Sequence, residues 1–178
     1  MRIIAGTRKG HTIHAPRGAA TRPTGDRVRE AAFNLIGPVD GVQVLDLYAG
    51  SGAMGLEALS RGAARAVFVE SDRHAVDAIR RNLEKLRLTG AVVVQQPVVS
   101  ALAAEAAAGR RYDLVLIDPP YADWVELEPT LGRYVPAVLA DDGLVVLESS
   151  SRVEPRLPLA LRTSRRYGSA RLTLYEHP

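Results

Sequence analysis

Short apolar runs alternate along this chain with longer amphipathic stretches, the rhythm of strands separated by helices. From residue 42 the pattern predicts strand Val42–Leu47, a Gly-rich turn, helix Ala53–Ser60, strand Ala66–Glu70 and helix Arg73–Leu88. That last helix carries Val76, Ile79, Leu83 and Leu86 along one stripe and is ended by Thr89-Gly90. Strand Val92–Gln95, an Ala-rich helix near Val99–Ala108, strand Tyr112–Ile117, a Pro-punctuated helical segment over Val125–Leu139 and strand Leu144–Glu148 follow. Strands alternating with helices imply a parallel sheet. Val42–Leu47 and Leu114–Ile117 lack polar alternation, as strands covered on both faces should.

Both ends depart from this rhythm. At the start, Arg2–Ala5 and His11–Ala15 flank Gly6-Thr7-Arg8-Lys9-Gly10 and read as a hairpin with a basic tip. Pro16 to Gly25 is rich in turn formers, and Thr24 or Asp26 can cap a helix whose Val28, Ala32, Leu35 and Ile36 share a face until Gly37-Pro38 stops it. At the other end, Leu161–Tyr167 and Arg171–Glu176 around Gly168-Ser169-Ala170 look like a closing antiparallel hairpin. The expected organisation is an α/β domain over residues 26–178 with a basic hairpin and linker at 1–25.

Composition adds limits. A chain of 178 residues, 47% apolar and 24% charged, is enough for one core and argues against disorder. No apolar run approaches the roughly 18 residues of a membrane span, and Met1–Gly6 is too short for a signal-peptide core, so a soluble cytoplasmic protein is expected. The absence of cysteine removes disulfides, thiolate metal sites and cysteine nucleophiles, and the four histidines form no ligand-spaced cluster, so no metal site is expected. The net charge of +3 hides a division: residues 1–30 carry +5, residues 31–150 carry −6 and residues 151–178 carry +4. Of the 23 basic residues 21 are Arg, whose planar fork suits phosphate, although a GC-rich genome produces the same excess.

The strand Val42–Leu47 runs into Asp46-Leu47-Tyr48-Ala49-Gly50-Ser51-Gly52-Ala53-Met54-Gly55, where Gly50, Gly52 and Gly55 satisfy G-x-G-x-x-G between a strand and a helix. Glu70 ends the next strand 20 residues past Gly50, the place of an acid that grips ribose hydroxyls. An adenosine-containing cofactor fits this turn. Asp46 favours S-adenosylmethionine (SAM) over a dinucleotide, because a carboxylate there repels a pyrophosphate but can hold the ammonium of a methionyl group. The plainer alternative for Asp46 is a strand-end residue capping local amides.

After strand Tyr112–Ile117 comes Asp118-Pro119-Pro120-Tyr121. An exocyclic amino group is a poor nucleophile because its lone pair is delocalised into the ring, so an enzyme that methylates one must accept its N–H bonds. Asp118 and the Pro119 carbonyl can do so, and neither Pro119 nor Pro120 has an amide hydrogen to compete. Tyr121 offers a ring on which a flipped base can stack. Trp124 lies close behind and either lines the base pocket or packs the following helix.

These segments together resemble the bacterial RsmD family, the 16S ribosomal RNA guanine-N2 methyltransferases. The resemblance spans nearly the whole chain. It is carried by Met1-Arg2-Ile3-Ile4-Ala5-Gly6, Arg22-Pro23-Thr24-Gly25-Asp26-Arg27-Val28-Arg29-Glu30, Leu45–Gly52 with Gly55-Leu56-Glu57-Ala58-Leu59-Ser60-Arg61-Gly62, and Asp118–Tyr121. The first two segments are the more specific, since glycine-loop and Asp-Pro-Pro-Tyr motifs also occur in DNA adenine and other amino-group methyltransferases. The resemblance implies a seven-stranded class I methyltransferase sheet, SAM contacts from Asp46, Tyr48, Ala49, Gly50, Gly52 and Glu70, and a guanine held by Asp118, Pro119, Pro120 and Tyr121. It also implies 16S rRNA in an assembled small subunit as partner, and a monomeric enzyme.

One departure is visible. Where such enzymes often place an acid after the third strand to bind the adenine amino group, this chain has Gln95-Gln96-Pro97-Val98, so Gln96 or backbone must serve. Arg2, Arg8, Lys9, Arg17 and Arg22, with Arg162, Arg165 and Arg166 on the closing strands, are candidates for phosphate contact or a solvated basic surface. Three competing functions remain: DNA adenine-N6 methylation, which expects a target-recognition domain for which this chain has no obvious room; an NAD-dependent oxidoreductase, which Asp46 opposes; and a non-catalytic RNA-binding module, which an intact Asp118–Tyr121 opposes.

Overall fold

The computed structural model describes residues 1–16 and 25–178. The elements are α1 (Asp26–Ile36), β1 (Gln43–Leu47), α2 (Ala53–Ser60), β2 (Arg65–Glu70), α3 (Arg73–Leu86), β3 (Ala91–Gln95), α4 (Val98–Ala107), β4 (Tyr112–Ile117), α5 (Trp124–Val138), β5 (Leu139–Ser150), β6 (Ala160–Tyr167) and β7 (Ala170–Glu176). The strands form one seven-stranded sheet in the order β3-β2-β1-β4-β5-β7-β6. β1 to β5 are parallel, and β7 inserts antiparallel between β5 and β6. The sheet therefore has the expected seven strands and closing hairpin. From β1 the chain winds outward through β2 and β3, then returns to place β4 on the other side of β1. That reversal opens a crevice at the carboxyl ends of β1 and β4, where ligands bind in such sheets.

Alternation along each strand divides the core. Val44, Phe68, Leu114, Leu116, Val146 and Leu172 face α1, α2 and α3, while Leu45, Leu47, Val67, Val115, Leu147 and Tyr175 face α4 and α5. Asp46 shares the first face with Val44. Most predicted boundaries fall within one or two residues of those observed, and three departures are informative. β5 begins at Leu139 rather than Leu144, because Leu139 pairs with Tyr112 across an irregularity before Leu144 joins Leu114. The exposed Asp141 and Asp142 lie in that irregularity, so a turn-like Asp-Asp-Gly sits inside a strand.

The amino-terminal hairpin has one β-bridge, Arg2 to Thr12, instead of two strands, and its tip is a single 3-10 turn over Gly6–Arg8. Its ladder cannot lengthen, because the N–H groups of Ile4 and Ala5 donate to the Glu57 carboxylate at 2.9 Å each. Ile3 and Ile13 are buried in the first-face core, so this arm is packed onto α2 and α3.

In α1, Asp26 is the first helical residue, not the cap. Gly25 stands at the cap position without a side-chain bond, and Thr24 lies outside the described residues. The buried face is Arg29, Ala32 and Phe33, whereas Val28, Leu35 and Ile36 are only partly buried. An arginine can occupy that face because its guanidinium lies 2.9 Å from Asp26 and 3.6 Å from Glu57, and it donates to the Arg2 carbonyl.

Candidate active site

The carboxyl ends of β1, β2, β4 and β5 converge around the crevice, and the turn after β1 shapes its floor. Tyr48 is left-handed with φ 58°, a conformation that costs a non-glycine residue of order 1 kcal/mol and clusters at functional sites. The turn is then locked: Ala49 N–H donates to the Val69 carbonyl at 3.1 Å and Gly52 N–H to the Ala49 carbonyl at 2.7 Å. Burial, with the nearby Asp123 charge, pushes the Tyr48 phenol up to about 12, so it stays protonated at neutral pH.

The glycines of the motif have different reasons. A β-carbon at Gly50 would meet nothing nearer than the Tyr48 carbonyl oxygen at 4.0 Å, so there the backbone is open to close approach by a ligand. At Gly55 it would lie 2.4 Å from the Phe68 ring and 2.9 Å from Asp46, so that glycine is required for helix-on-sheet packing. Glu70 stands where the ribose-gripping acid was expected. Its Oε2 accepts the Gly50 N–H at 2.9 Å, and its Oε1 accepts the N–H groups of Ser71 and Asp72 at 2.8 and 2.9 Å. These bonds orient the carboxylate over the turn.

Asp46 is 3% exposed, and its Oδ2 accepts the Gly55 N–H at 2.9 Å. The capping role therefore exists in the fold. Burial pushes its carboxyl well above the ordinary carboxylate range; the Gly55 N–H works against this, and the nearby Asp118 and Glu70 charges add to it. A cation placed beside this group would relieve the repulsion. The open backbone at Gly50 and this set of acids fit SAM, which carries a sulfonium and an ammonium, better than a pyrophosphate. Tyr48, Ala49 and Gly52 lie in the same turn. Gln96 follows β3 with an exposed side chain, and its backbone N–H donates to the Glu70 carbonyl at 3.1 Å.

Asp118 follows β4, and its N–H reaches the Leu47 carbonyl at 3.5 Å, which puts the Asp-Pro-Pro-Tyr loop beside the glycine turn. Pro119 is buried and Pro120 exposed. Tyr121 opens a 3-10 turn that leads into α5; it is 37% exposed, and its hydroxyl donates to Glu148 Oε1 at 3.1 Å. Trp124, 7% exposed, packs with Leu131 and Val135 in the second-face core. Of its two sequence readings, helix packing is the one realised.

Sequence reasoning passed over three residues here. Glu148, in β5 just past its parallel pairing with β4, lines a cleft with Asp46, Met54, Ile117 and Asp118. Its signal was available, since four of the five parallel strands carry an acid within one residue of the end of their parallel pairing: Asp46, Glu70, Asp118 and Glu148. Glu57 was noted only as part of a resembling segment, yet it is fully buried and fastens the arm. Asn82, also fully buried, accepts the His14 N–H at 2.7 Å and donates to the carbonyls of His14 and Ser51 at 3.0 Å each. No local pattern could have found these roles of the last two: the arm's bonds to Glu57 span 52 and 53 residues, and those of Asn82 span 31 and 68.

The basic candidates separate by environment. Lys9 is exposed at the tip, and Arg2 is exposed with Asp26 at 3.8 Å. Arg8 is committed elsewhere: its guanidinium donates to the carbonyls of Leu86 and Arg87, the last turn of α3, where a cation also suits the helix dipole. The sequence had offered it for phosphate contact or a solvated basic surface. Arg17 and Arg22 lie outside the described residues. On the edge strand β6, Arg165 is level with Leu172 of β7 and, through it, with Glu148 of β5. Arg162 sits in an irregularity between Leu161 and Thr163, toward the opposite end of the sheet.

A parallel sheet reversed at β1 and β4, with β7 inserted antiparallel, an open glycine turn and strand-end acids, defines a class I SAM-dependent methyltransferase. The solved T. thermophilus 16S rRNA N2 G1207 methyltransferase, in complex with AdoMet and guanosine, has this fold, with a TM-score of 0.70 at 24% identity over 92% of this chain and 45% of that one. The family model described as Conserved hypothetical protein 95 matches residues 1–176. The Ribosomal RNA small subunit methyltransferase D of Escherichia coli (strain K12) is 41% identical over 160 residues, 89% of this chain and 78% of that protein. A structure of a hypothetical protein from Thermus thermophilus superposes with a TM-score of 0.85 at 36% identity, covering 99% of both chains. The chain belongs to this family, the RsmD family.

Proposed function

We propose that this protein transfers a methyl group from SAM to the exocyclic N2 amino group of a guanine in the 16S ribosomal RNA of the small subunit. The observation that carries this reading is the meeting of two strand ends: Asp118 of the Asp-Pro-Pro-Tyr loop reaches the Leu47 carbonyl beside the open turn at Gly50. Family membership selects ribosomal RNA, and the named relative acts on the small subunit. The assignment to guanine N2 rests on resemblance to the RsmD family and on acceptor chemistry suited to an amine.

Asp46, Tyr48, Ala49, Gly50, Gly52 and Glu70 hold the cofactor, with Gln96 toward the adenine. Bound SAM supplies an electrophilic methyl group on a sulfonium. Asp118 and the Pro119 carbonyl accept the amino hydrogens of the target and so direct its lone pair; the Tyr121 ring supports the flipped base. Pro119 and Pro120 keep competing backbone donors out of that loop. Arg2, Lys9, Arg17, Arg22, Arg165 and Arg166 contact phosphate. The substrate is the assembled subunit, the enzyme a cytoplasmic monomer, and residues 1–25 the RNA-contacting extension of the catalytic domain at 26–178. No helix among the described residues is long and apolar enough to cross a membrane.

The test is incubation with labelled SAM and either undermethylated small subunits or their free RNA, followed by mapping of the modified nucleoside. N2-methylguanosine at one position, formed on subunits more than on free RNA, is the expected result. Label in adenine of duplex DNA, or none in any ribosomal substrate, would overturn it.

A further inference from the structure

Of the four acids near the carboxyl ends of the parallel pairings around the crevice, Glu148 is the one given no part in the methyl transfer above. Register puts it one residue beyond the Leu147–Ile117 pair, level with Asp118, on the sheet face that carries Asp46. It lines the cleft together with Asp46, Asp118 and Ile117. The hydroxyl of Tyr121, the ring proposed to support the base, donates to Glu148 Oε1 at 3.1 Å. A carboxylate offers about four lone-pair sites, so this bond does not exhaust it.

Among the four RNA bases, guanine alone presents a ring N–H next to an exocyclic amino group on one edge. Adenine and cytosine put a lone pair at the corresponding ring nitrogen, which a carboxylate repels. A site built to accept a substrate N–H rejects analogues lacking it far more strongly than a shape-selective pocket does. We infer that Glu148 is the specificity-determining residue of the target site: its carboxylate accepts the guanine N1–H, while Asp118 and the Pro119 carbonyl take the amino group. This rests on the guanine-N2 reading above. No proton is transferred to Glu148, so the chemical step is unaltered. The bond from Tyr121 holds the carboxylate toward the base.

The decisive substrate is 16S RNA assembled by ligation with either guanine or 2-aminopurine at the mapped position, incorporated into subunits. 2-Aminopurine keeps the amino group but has a lone pair at N1. Wild type is expected to prefer guanine by about 100-fold or more. Glu148→Gln, whose amide can donate to that lone pair, is expected to narrow the guanine to 2-aminopurine ratio by at least about tenfold while SAM affinity is kept. Glu148→Asp, which keeps the charge, is expected to preserve the guanine preference and controls for a folding defect. Comparing ratios removes the intrinsic difference in nucleophilicity between the two bases. An unchanged ratio in Glu148→Gln, with both rates lowered together, would overturn the assignment alone. No transfer by wild type to guanine would overturn the reading on which it rests, and this assignment with it.

Discussion

Two carboxylates lie on the same face of the sheet, each at most 3% exposed, and they do opposite things. Glu57 of α2 accepts the N–H groups of Ile4 and Ala5 at 2.9 Å and the Arg61 Nε–H at 2.8 Å, and forms an ion pair with Arg29 at 3.6 Å. Asp46 of β1 receives one N–H, from Gly55, and faces the charges of Asp118 and Glu70. Burying a charge costs several kcal/mol, and only partners of opposite sign and full hydrogen bonding offset it. Glu57 has both, so it fastens the amino-terminal arm to the domain. Asp46 has repulsive neighbours, so it favours a cationic ligand at the expense of the unliganded fold. What separates a structural acid from a binding one is the sign of the charges around it, since burial is the same.

The largest expected effect breaks the catalytic side of this contrast. Asp118→Ala should lower methyl transfer by about 100-fold or more while leaving SAM affinity within about twofold, measured by labelled-methyl assay and calorimetry. A parallel fall in SAM affinity would mean that Asp118 serves the cofactor and not the target. Next, Glu57→Ala should cost about 3–5 kcal/mol of unfolding free energy, because it unties Ile4, Ala5 and Arg61 and leaves the buried Arg29 with Asp26 as its remaining carboxylate. Denaturant titration measures this, and a loss under about 1 kcal/mol would dismiss the fastener.

Asp46→Asn should act with the opposite sign. It should raise the unliganded protein's stability at neutral pH by about 1 kcal/mol, roughly 2–4 °C at this chain length, while weakening SAM binding. The folded carboxyl is held above its unfolded value, so its contribution to stability is fully present below the ordinary carboxylate range. It is lost as pH rises through the raised value. The advantage of the Asn variant should therefore grow from about pH 4 upward and then level off. Thermal melts across pH 4–8 read it, and a flat difference would contradict the buried charge. The smallest effects concern the basic residues. Arg165→Ala should flatten the salt dependence of RNA binding by about one unit of slope, and Lys9→Ala likewise. Arg162→Ala, toward the far end of the sheet, should leave the slope unchanged. Arg8→Ala should instead cost about 0.3–1 kcal/mol of stability through the end of α3.

The α/β order was legible because each element satisfies a local rule. Runs such as Leu114–Ile117 are apolar enough to be covered on both faces, and the stripe Val76, Ile79, Leu83, Leu86 repeats at helical spacing. Legibility failed where tertiary contacts outcompete local preference. Asp141-Asp142-Gly143 resembles a turn but sits within β5, and Arg29 resembles a surface residue but is fully buried. In the site, Asp46, Gly50, Glu70 and Asp118 could be singled out because strand ends and glycine spacing are written in consecutive residues. Glu148 lies just past the end of its parallel pairing too, but nothing within its own segment tied it to Tyr121, 27 residues away.

By itself, then, the order of residues determined the sheet, the glycine turn, the acceptor loop and the family, since all of these depend on neighbours in the chain. Only the tertiary structure decided which glycine of the motif leaves its backbone open and which packs on Phe68, and which arginine is available to solvent and which closes a helix. It also decided which buried acid is satisfied. The physical reason is that electrostatic energy and packing depend on distance through space, and the charges that settle the roles of Glu57 and Asp46 arrive from segments up to 72 residues away.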